Sequence, residues 1–529
     1  MKGSGKAKAG FGFGGCGRGV CAVSVSELLF AADPFDMYFL RGEKMFNFDN
    51  TYSRLPEQFY ARVAPAKVPE PALIKWNEDL ARELGIQSEQ LTDRELAEIF
   101  AGRKLLPGSE PIALAYAGHQ FGQFVPRLGD GRALLLGEIL DPSGKRFDIQ
   151  LKGSGRTPFS RQGDGKAPLG PVLREYIVSE GLHHLGLPTT RSLAAVRTGE
   201  TVYREKALPG AILTRVAASH IRIGTFEYFA ARNDRENLKT LADYAIQRHY
   251  PEIRDEADPY FHFFRKVGRA QIELVTGWMA LGFIHGVMNT DNMSVTGESI
   301  DFGPCAFMDQ FRSDRVFSSI DRFGRYSYSN QVQITLWNLS RLGSCLIHLA
   351  DSGTEDTIES YNTELESLGT LFNRRLTSKM LKKIGILDDE KPEDQGLLRQ
   401  WLGYLEKHAL DFTLSFRNLA ELVKNDSDSG FFEKTGDFQA FYENWKKRIR
   451  AQDRHADAIR EGMNSINPLY IPRNHMVERV IAAALGGDFG LFHEMNAVLE
   501  KPYEEQERFN EYLSPPEPHE VVRTTFCGT

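Results

Sequence analysis

Lys152 and Glu175 bracket the stretch GSGRTPFSRQGDGKAPLGP, Gly153 to Pro171, in which glycine and arginine are concentrated. Backbone amides freed by glycine, with Arg156 and Arg161 beside them, are what binding of a polyphosphate requires. A lysine at a strand end paired with a helix glutamate is a device for positioning a nucleotide. Farther along the chain, His285-Gly286-Val287-Met288-Asn289-Thr290-Asp291-Asn292 precedes Asp301-Phe302-Gly303. A carboxylate and a carboxamide close together can hold a divalent cation, and a second carboxylate can take the proton of an attacking hydroxyl. Together the two sets point to group transfer from a nucleoside triphosphate.

Such residues need elements that hold them. Ala133 to Leu140, ALLLGEIL, reads as a strand, Asp141-Pro142-Ser143-Gly144 as a turn, and Arg146 to Lys152, RFDIQLK, as the returning strand. Alternation puts Phe147, Ile149 and Leu151 on the packed face and Asp148, Gln150 and Lys152 on the other. On that pattern alone a terminal lysine is more often simply solvated; the glycine-rich run behind it argues otherwise. Val172, Leu173, Tyr176 and Ile177 recur at helical spacing over Val172 to Leu185, and that helix carries Glu175. A second helix is expected over Phe264 to Phe283, and Met293 to Ile300 reads as a tight hairpin turning at Gly297.

Helix, loop, hairpin and acid occur in this order in kinase-like phosphotransferases, where the loop supplies an aspartate base and an asparagine metal ligand, and a DFG-type aspartate follows. Asn292 and Asp301 stand at the metal-ligand places. Small-molecule kinases of the aminoglycoside type read His-Gly-Asp here, and this chain has Val287 at the base position. A valine cannot accept a proton, so Asp291 is the nearby carboxylate able to act as base. A DFG triplet alone is expected by chance in a glycine-rich chain of this length; its spacing from HG…N gives it weight.

The composition narrows the class. Hydrophobic residues at 41% and charged residues at 26% are those of an ordinary folding chain of 529 residues. With 64 Lys and Arg against 71 Asp and Glu, net −7, and no basic block, nucleic acid is not an expected partner. No stretch is long and apolar enough for a membrane span. Five scattered cysteines without a CxxC pair exclude a disulfide framework and a zinc finger, and fit a reducing cytoplasm. Residues 1–44 are crowded with glycine and base, with no acid before Glu27, and are expected to be a disordered extension or an over-extended start, with Met45 as the natural beginning. LDDEKPEDQ, Leu387 to Gln395, reads as a surface loop between helices, and no internal repeat is present.

Five motifs together resemble the selenoprotein O family of pseudokinase-fold protein adenylyltransferases: FNFDNTYSRLP (Phe46 to Pro56), YAGHQFGQFVPRLGDGRALLLGE (Tyr116 to Glu138), QLKGSGRTPFSRQGDGKAPLGPVLREY (Gln150 to Tyr176), HGVMNTDNMS with DFGP (His285 to Pro304) and NPLYIPRNH (Asn467 to His475). The resemblance runs from about Phe46 to the C-terminus. It implies an α+β, two-lobed protein-kinase-like fold, with a family-specific segment over 45–99, a β-containing N-lobe over 100–225, a mainly helical C-lobe over 226–500 and a tail over 501–529. It also implies ATP bound in reverse, so that AMP passes to Ser, Thr or Tyr hydroxyls of proteins. On this reading Gly129, Gly131, Arg132, Lys152, Asp164, Gly165, Arg215 and Arg222 contact nucleotide. Asp291 is the proton acceptor, Asn292 and Asp301 hold Mg²⁺ or Mn²⁺, and Glu175 pairs with Lys152. A monomer is expected, and UTP stands as an alternative donor.

Reversal would make sense of LTRVAASHIRIG, which sets Arg215 and Arg222 on an otherwise apolar stretch. A buried γ-phosphate needs deep cations, although either arginine alone could equally be a structural salt bridge. The family's C-terminal selenocysteine or cysteine falls at Cys527, a candidate redox thiol. RVFSSID, Arg315 to Asp321, lacks the cysteine with which some members pair it, leaving Cys305 and Cys345 in the catalytic domain. Two other classes remain at this point: a phosphotransferase presenting the γ-phosphate, against which Val287 speaks, and a non-catalytic nucleotide-binding pseudokinase, which would not need Asp291, Asn292 and Asp301 together.

Overall fold

The hairpin turning at Asp141–Gly144 forms the middle of a sheet. The computed structural model describes residues 45–350, 355–388, 390–424 and 430–526; the expectation for residues 1–44 and that for Cys527 lie outside them. In chain order the strands are β1 (Tyr60–Arg62), β2 (Ala72–Trp76), β3 (Ile112–Leu114), β4 (Gly118–Gln120), β5 (Gln123–Val125), β6 (Ala133–Leu140), β7 (Arg146–Lys152), β8 (Ala167–Pro168), β9 (Arg191–Tyr203), β10 (Ala207–Ala217), β11 (Phe283–Ile284) and β12 (Ala306–Phe307). The large sheet runs β1-β3-β6-β7-β10-β9-β2, with β8 pairing β10 beside that path. Its ladders are antiparallel and place Lys152 opposite Ala133 on one side and Leu213 on the other, with Gln150 opposite Arg215. The sheet therefore draws two strands, β1 and β2, from residues before 100.

β6 and β7 have the bounds read from the sequence, but the polar face of β7 is not solvated. Asp148, Gln150 and Lys152 are all buried. That face is covered by charge: Arg248 and His220 meet Asp148, Arg215 meets Gln150, and Glu175 and Asp301 meet Lys152. Burial of such groups is tolerable because each is hydrogen-bonded.

Helix Leu169–His184 packs Val172, Leu173, Tyr176 and Ile177 against Ala195, Ala211 and Leu213 of the sheet, and against helices Asn474–Leu485 and Gly490–Leu499. Apolar contact on both sides leaves it few polar positions, and Glu175 is one of them. A second and larger core surrounds helix Pro259–Ala280, which packs on helices Gln331–Leu346 and Glu355–Lys383. β11 and β12 pair antiparallel, Phe283 with Phe307, and so close the base of the loop that holds Asp291, Asn292 and Asp301.

The hairpin expected over Met293–Ile300 does not form. Gly297 does turn, with φ +77°, but the two arms bridge elsewhere, Ser294 to Arg222 and Ser299 to Thr189. The turn forms, and the partners of its two arms are distant in sequence. The charged run Leu387–Gln395 is likewise less superficial than it reads. Helix Asp394–Lys407 begins inside it, and Asp394 is fully buried against Arg448 at 2.8 Å. No helix among the described residues is long and apolar enough to cross a membrane.

Lys383 ends helix Glu355–Lys383 with its ammonium 4.3 Å from the ring centre of Phe416 and 5.6 Å from that of Phe412. Burial alone pushes its amine down to about 7. The unfolded chain binds this proton at a higher pH than the folded one, so stability falls as pH drops from the ordinary lysine range to about 7. Lys383→Met is expected to raise Tm at neutral pH by at least about 2 °C and to flatten the dependence between about pH 7 and 10. Calorimetry across that range checks it; an unchanged curve would mean that the ammonium reaches water.

Candidate active site

Asp301 sits at φ +67°, a left-handed conformation that a non-glycine residue adopts at a cost. The backbone there turns its carboxylate into a set of three cations. Oδ1 accepts from Lys152 Nζ at 2.6 Å and from Arg215 Nη1 at 2.7 Å, and Oδ2 accepts from Arg222 Nη1 at 2.9 Å. Glu175 completes the set, accepting from Lys152 Nζ at 2.6 Å and from Arg215 Nη1 at 3.2 Å. Lys152 comes from the end of β7, Arg215 from β10, Arg222 from the residue that opens helix Ile223–Ala230, and Glu175 from helix Leu169–His184. Burial works to raise the Asp301 carboxyl, but Lys152, Arg215 and Arg222 outweigh it and hold it well below the usual carboxylate range. Five predicted residues thus converge, three positive and two negative, with both arginines at 2% exposure or less.

Asp291 lies one step away. Its backbone carbonyl accepts from Arg222 Nη1 at 2.7 Å, and its side-chain Oδ2 accepts from Gln120 Nε2 at 3.1 Å. Oδ1 is buried without a hydrogen-bond partner. Burial pushes the carboxyl up to about 6, against the pull of Gln120 and Arg222. Gly118 is needed beside it, because a Cβ there would stand 2.6 Å from Oδ1. The loop is braced from behind. Thr290 Oγ1 accepts from the His119 amide at 2.7 Å and donates to Glu227, which meets His119 Nδ1 at 2.5 Å. Asn289 Oδ1 accepts from the Tyr326 hydroxyl at 2.6 Å and from the Phe121 amide at 3.1 Å. The β4–β5 hairpin consequently lies over Asp291. Asn292 donates its amide to the Val287 carbonyl at 2.9 Å, which leaves its oxygen as the end free to act as a ligand. Val287 thus contributes its backbone carbonyl where a kinase would use a side chain.

Among the described residues no cluster of three or more His, Cys, Asp or Glu could cage a metal by itself. Asp301 and Asn292 are oxygen donors of the kind that Mg²⁺ or Mn²⁺ takes one or two at a time together with phosphate oxygens; in this structure both Asp301 oxygens accept from Lys152, Arg215 and Arg222. The family model described as protein adenylyltransferase SelO matches residues 44–500. The chain belongs to the SelO family. It is similar to protein nucleotidyltransferase YdiU of Rhizobium meliloti (strain 1021), 53% identical over 92% of this chain and 99% of the relative. It is also similar to the protein of the same name from Nitrobacter winogradskyi, 51% identical over 91% of this chain and 96% of the relative.

The glycines of the SelO motifs have close-approach reasons. At Gly129, φ +72°, a Cβ would fall 2.3 Å from the Phe159 ring; at Gly165, φ +71°, it would fall 2.0 Å from the Gly155 carbonyl. Thr157 Oγ1 donates to the Asp130 carbonyl at 2.7 Å, Ser160 Oγ donates to the Gly131 carbonyl, and the Gly153 amide donates to the Arg132 carbonyl at 2.7 Å. The turn over 127–132 and the loop after Lys152 are therefore locked onto each other at the strand ends. Asp164 stands apart. Its half-exposed carboxylate is bound by Arg204 at 2.9 and 3.0 Å and by the Lys166 amide at 3.0 Å, away from the Lys152–Asp301 cluster.

Four neighbours went unassigned in the sequence although they lie inside the SelO motifs. Asp130, between the two predicted glycines, is buried, accepts from Gln150 Nε2 and the Leu114 amide at 3.1 Å each, and stands 3.7 Å from Arg222. Gln150 in turn accepts from Arg215 Nη2 at 2.5 Å. Gln120 holds Asp291, and the Arg222 guanidinium lies 4.5 Å from the ring centre of Tyr116. The signal available was the alternation of β7, which groups Gln150 with Lys152; nothing local marks Gln120 or Tyr116.

Proposed function

We propose that this SelO-family chain is a protein adenylyltransferase that transfers AMP from ATP to Ser, Thr or Tyr hydroxyls of proteins, on a two-lobed kinase-like fold with the nucleotide bound in reverse. The observation that supports it is the convergence of three buried cations, Lys152, Arg215 and Arg222, on one point that they share with Glu175, Asp301 and Asp130. A γ-phosphate presented outward to an acceptor needs no such pair of buried arginines; β- and γ-phosphates turned inward do.

In this reading the locked turn and loop carrying Gly129, Gly131, Arg132 and Gly165 hold the nucleotide, with Asp164 as their outermost member. Lys152, fixed by Glu175, and the two arginines hold the phosphates. Asn292 and Asp301 hold the divalent cation, which would neutralise charge on the phosphates. The acceptor hydroxyl gives its proton to Asp291 as its oxygen bonds to the α-phosphorus. The bond from that phosphorus to the bridging oxygen breaks, and pyrophosphate leaves. Gln120 aims the receiving carboxylate, and Val287 positions Asn292 through its carbonyl.

Arg215→Met and Arg222→Met test the reading. Each is expected to raise the KM for ATP by roughly 10-fold or more, since charge-assisted hydrogen bonds to phosphate are lost. Mass spectrometry of the acceptor should still find an adenylyl group as the residual product. Arginines that were merely structural would lower Tm and leave the KM for ATP unchanged at a temperature where the variants are folded.

A further inference from the structure

Nine large apolar side chains remain exposed among the described residues, and four of them, Phe124, Ile320, Phe323 and Phe526, belong to three segments linked through the 318–326 loop, which is itself bonded to Asn289 of the Asp291 loop. The β4–β5 hairpin carries Phe124, and its tip meets the 318–326 loop through Phe121, whose ring centre is 5.1 Å from that of Tyr326. That loop carries Ile320, 61% exposed, and Phe323, 97% exposed. The tail carrying Phe526 is pinned to the same loop: the Thr525 amide donates to the Phe317 carbonyl at 2.8 Å, and the Ser319 amide donates to the Thr525 carbonyl at 3.1 Å. Tyr326, three residues after Phe323, donates to Asn289 in the Asp291 loop, so Phe323 is within about 11 Å of chain reach of that anchor.

Exposed phenylalanines carried by linked segments on a chain with ample core mark a contact surface. We propose that this surface docks the acceptor protein, through an apolar side chain lying near the hydroxyl to be modified and flanked by acidic residues. Two observations favour the acceptor as occupant. The β4–β5 hairpin lies on Asp291 and the 318–326 loop packs on that hairpin and on Asn289, so a hydroxyl presented to Asp291 arrives next to both. In addition, the segment 312–326 carries four arginines against two aspartates on a chain of net −7. Both aspartates are already engaged, Asp314 by Arg312 at 3.0 Å and Asp321 by the amides of Arg325 and Tyr326 at 2.9 and 2.8 Å. Exposed Arg322 is then the charge offered beside Phe323.

The inference rests on the adenylyl-transfer reading, and its test keeps the two apart. Wild type and the Ile320→Ser/Phe323→Ser double variant are given ATP and a library of serine-centred peptides whose flanking positions vary, with adenylylation read by mass. Wild type should favour an apolar residue close to the serine and acidic over basic neighbours. The double variant should lose the apolar preference and show a KM for the best peptide raised roughly 10-fold or more, as expected for loss of a central anchor. Its KM for ATP and its Tm should be unchanged, because both side chains are exposed. Transfer without flanking preference, or with a preference that the variant retains, overturns the docking surface and leaves the adenylyl-transfer reading intact. So does a wild-type dimer in light scattering that the double substitution dissolves without changing the peptide KM, since the surface would then serve a second copy. Absence of any adenylyl product from wild type overturns both.

Discussion

Asp301→Ala is expected to abolish AMP transfer, lowering turnover by at least about 10³-fold, because it removes the one carboxylate proposed to hold the cation and the phosphates together. The same change removes the acceptor shared by Lys152, Arg215 and Arg222. Breaking a buried ion set by deleting one partner costs about 3–5 kcal/mol, since the remaining charges stay buried and uncompensated. The variant should therefore melt well below wild type without ligand. Pyrophosphate should then raise its Tm more than it raises that of wild type, because the anion replaces the missing negative charge. Thermal shift with and without pyrophosphate, alongside a transfer assay, checks both halves. Near-normal transfer would remove Asp301 from the metal site, and equal shifts would remove the polyphosphate from the three cations.

Asp291→Asn keeps the size of the side chain and an oxygen to accept from Gln120, but cannot take a proton. Turnover is expected to fall roughly 10²- to 10⁴-fold, with the KM for ATP little changed, since proton acceptance matters mainly in the transition state. The split between kcat and KM distinguishes a base from a binding residue. Steady-state kinetics at saturating acceptor checks it. A variant with normal turnover would place the base elsewhere, and one that chiefly lost ATP affinity would make Asp291 part of the nucleotide site.

The sequence made local things legible. The strands β6 and β7 and the helix carrying Glu175 follow from periodicity and turn residues over short windows, and the Lys152–Glu175 pair followed from their order. The family resemblance marked both arginines, on a stretch otherwise apolar. It did not show their counter-charges: Asp301 serves all three cations, and only the folded chain brings β7, β10 and the loop closed by β11 and β12 to one point. The misread hairpin at Met293–Ile300 has the same cause, since its arms pair with Arg222 and Thr189, far away in sequence. Alternation places Lys152 on the face of β7 opposite Leu151, and the folded chain buries that face too, under Glu175 and Asp301. Asp164 resembled a nucleotide ligand by motif, and the structure finds it held by Arg204, a partner that no spacing rule could supply.

The direction in which ATP lies decides which of its phosphates reaches the acceptor, and a label reports it. Wild-type protein, a divalent cation and an acceptor protein are incubated in parallel with ATP labelled at the α- or at the γ-phosphate, and the label covalently attached to protein is counted. A reversed nucleotide gives α-label on the acceptor and γ-label in released pyrophosphate. Attachment of the γ-label, with the α-label remaining in ADP, would instead make the chain a phosphotransferase.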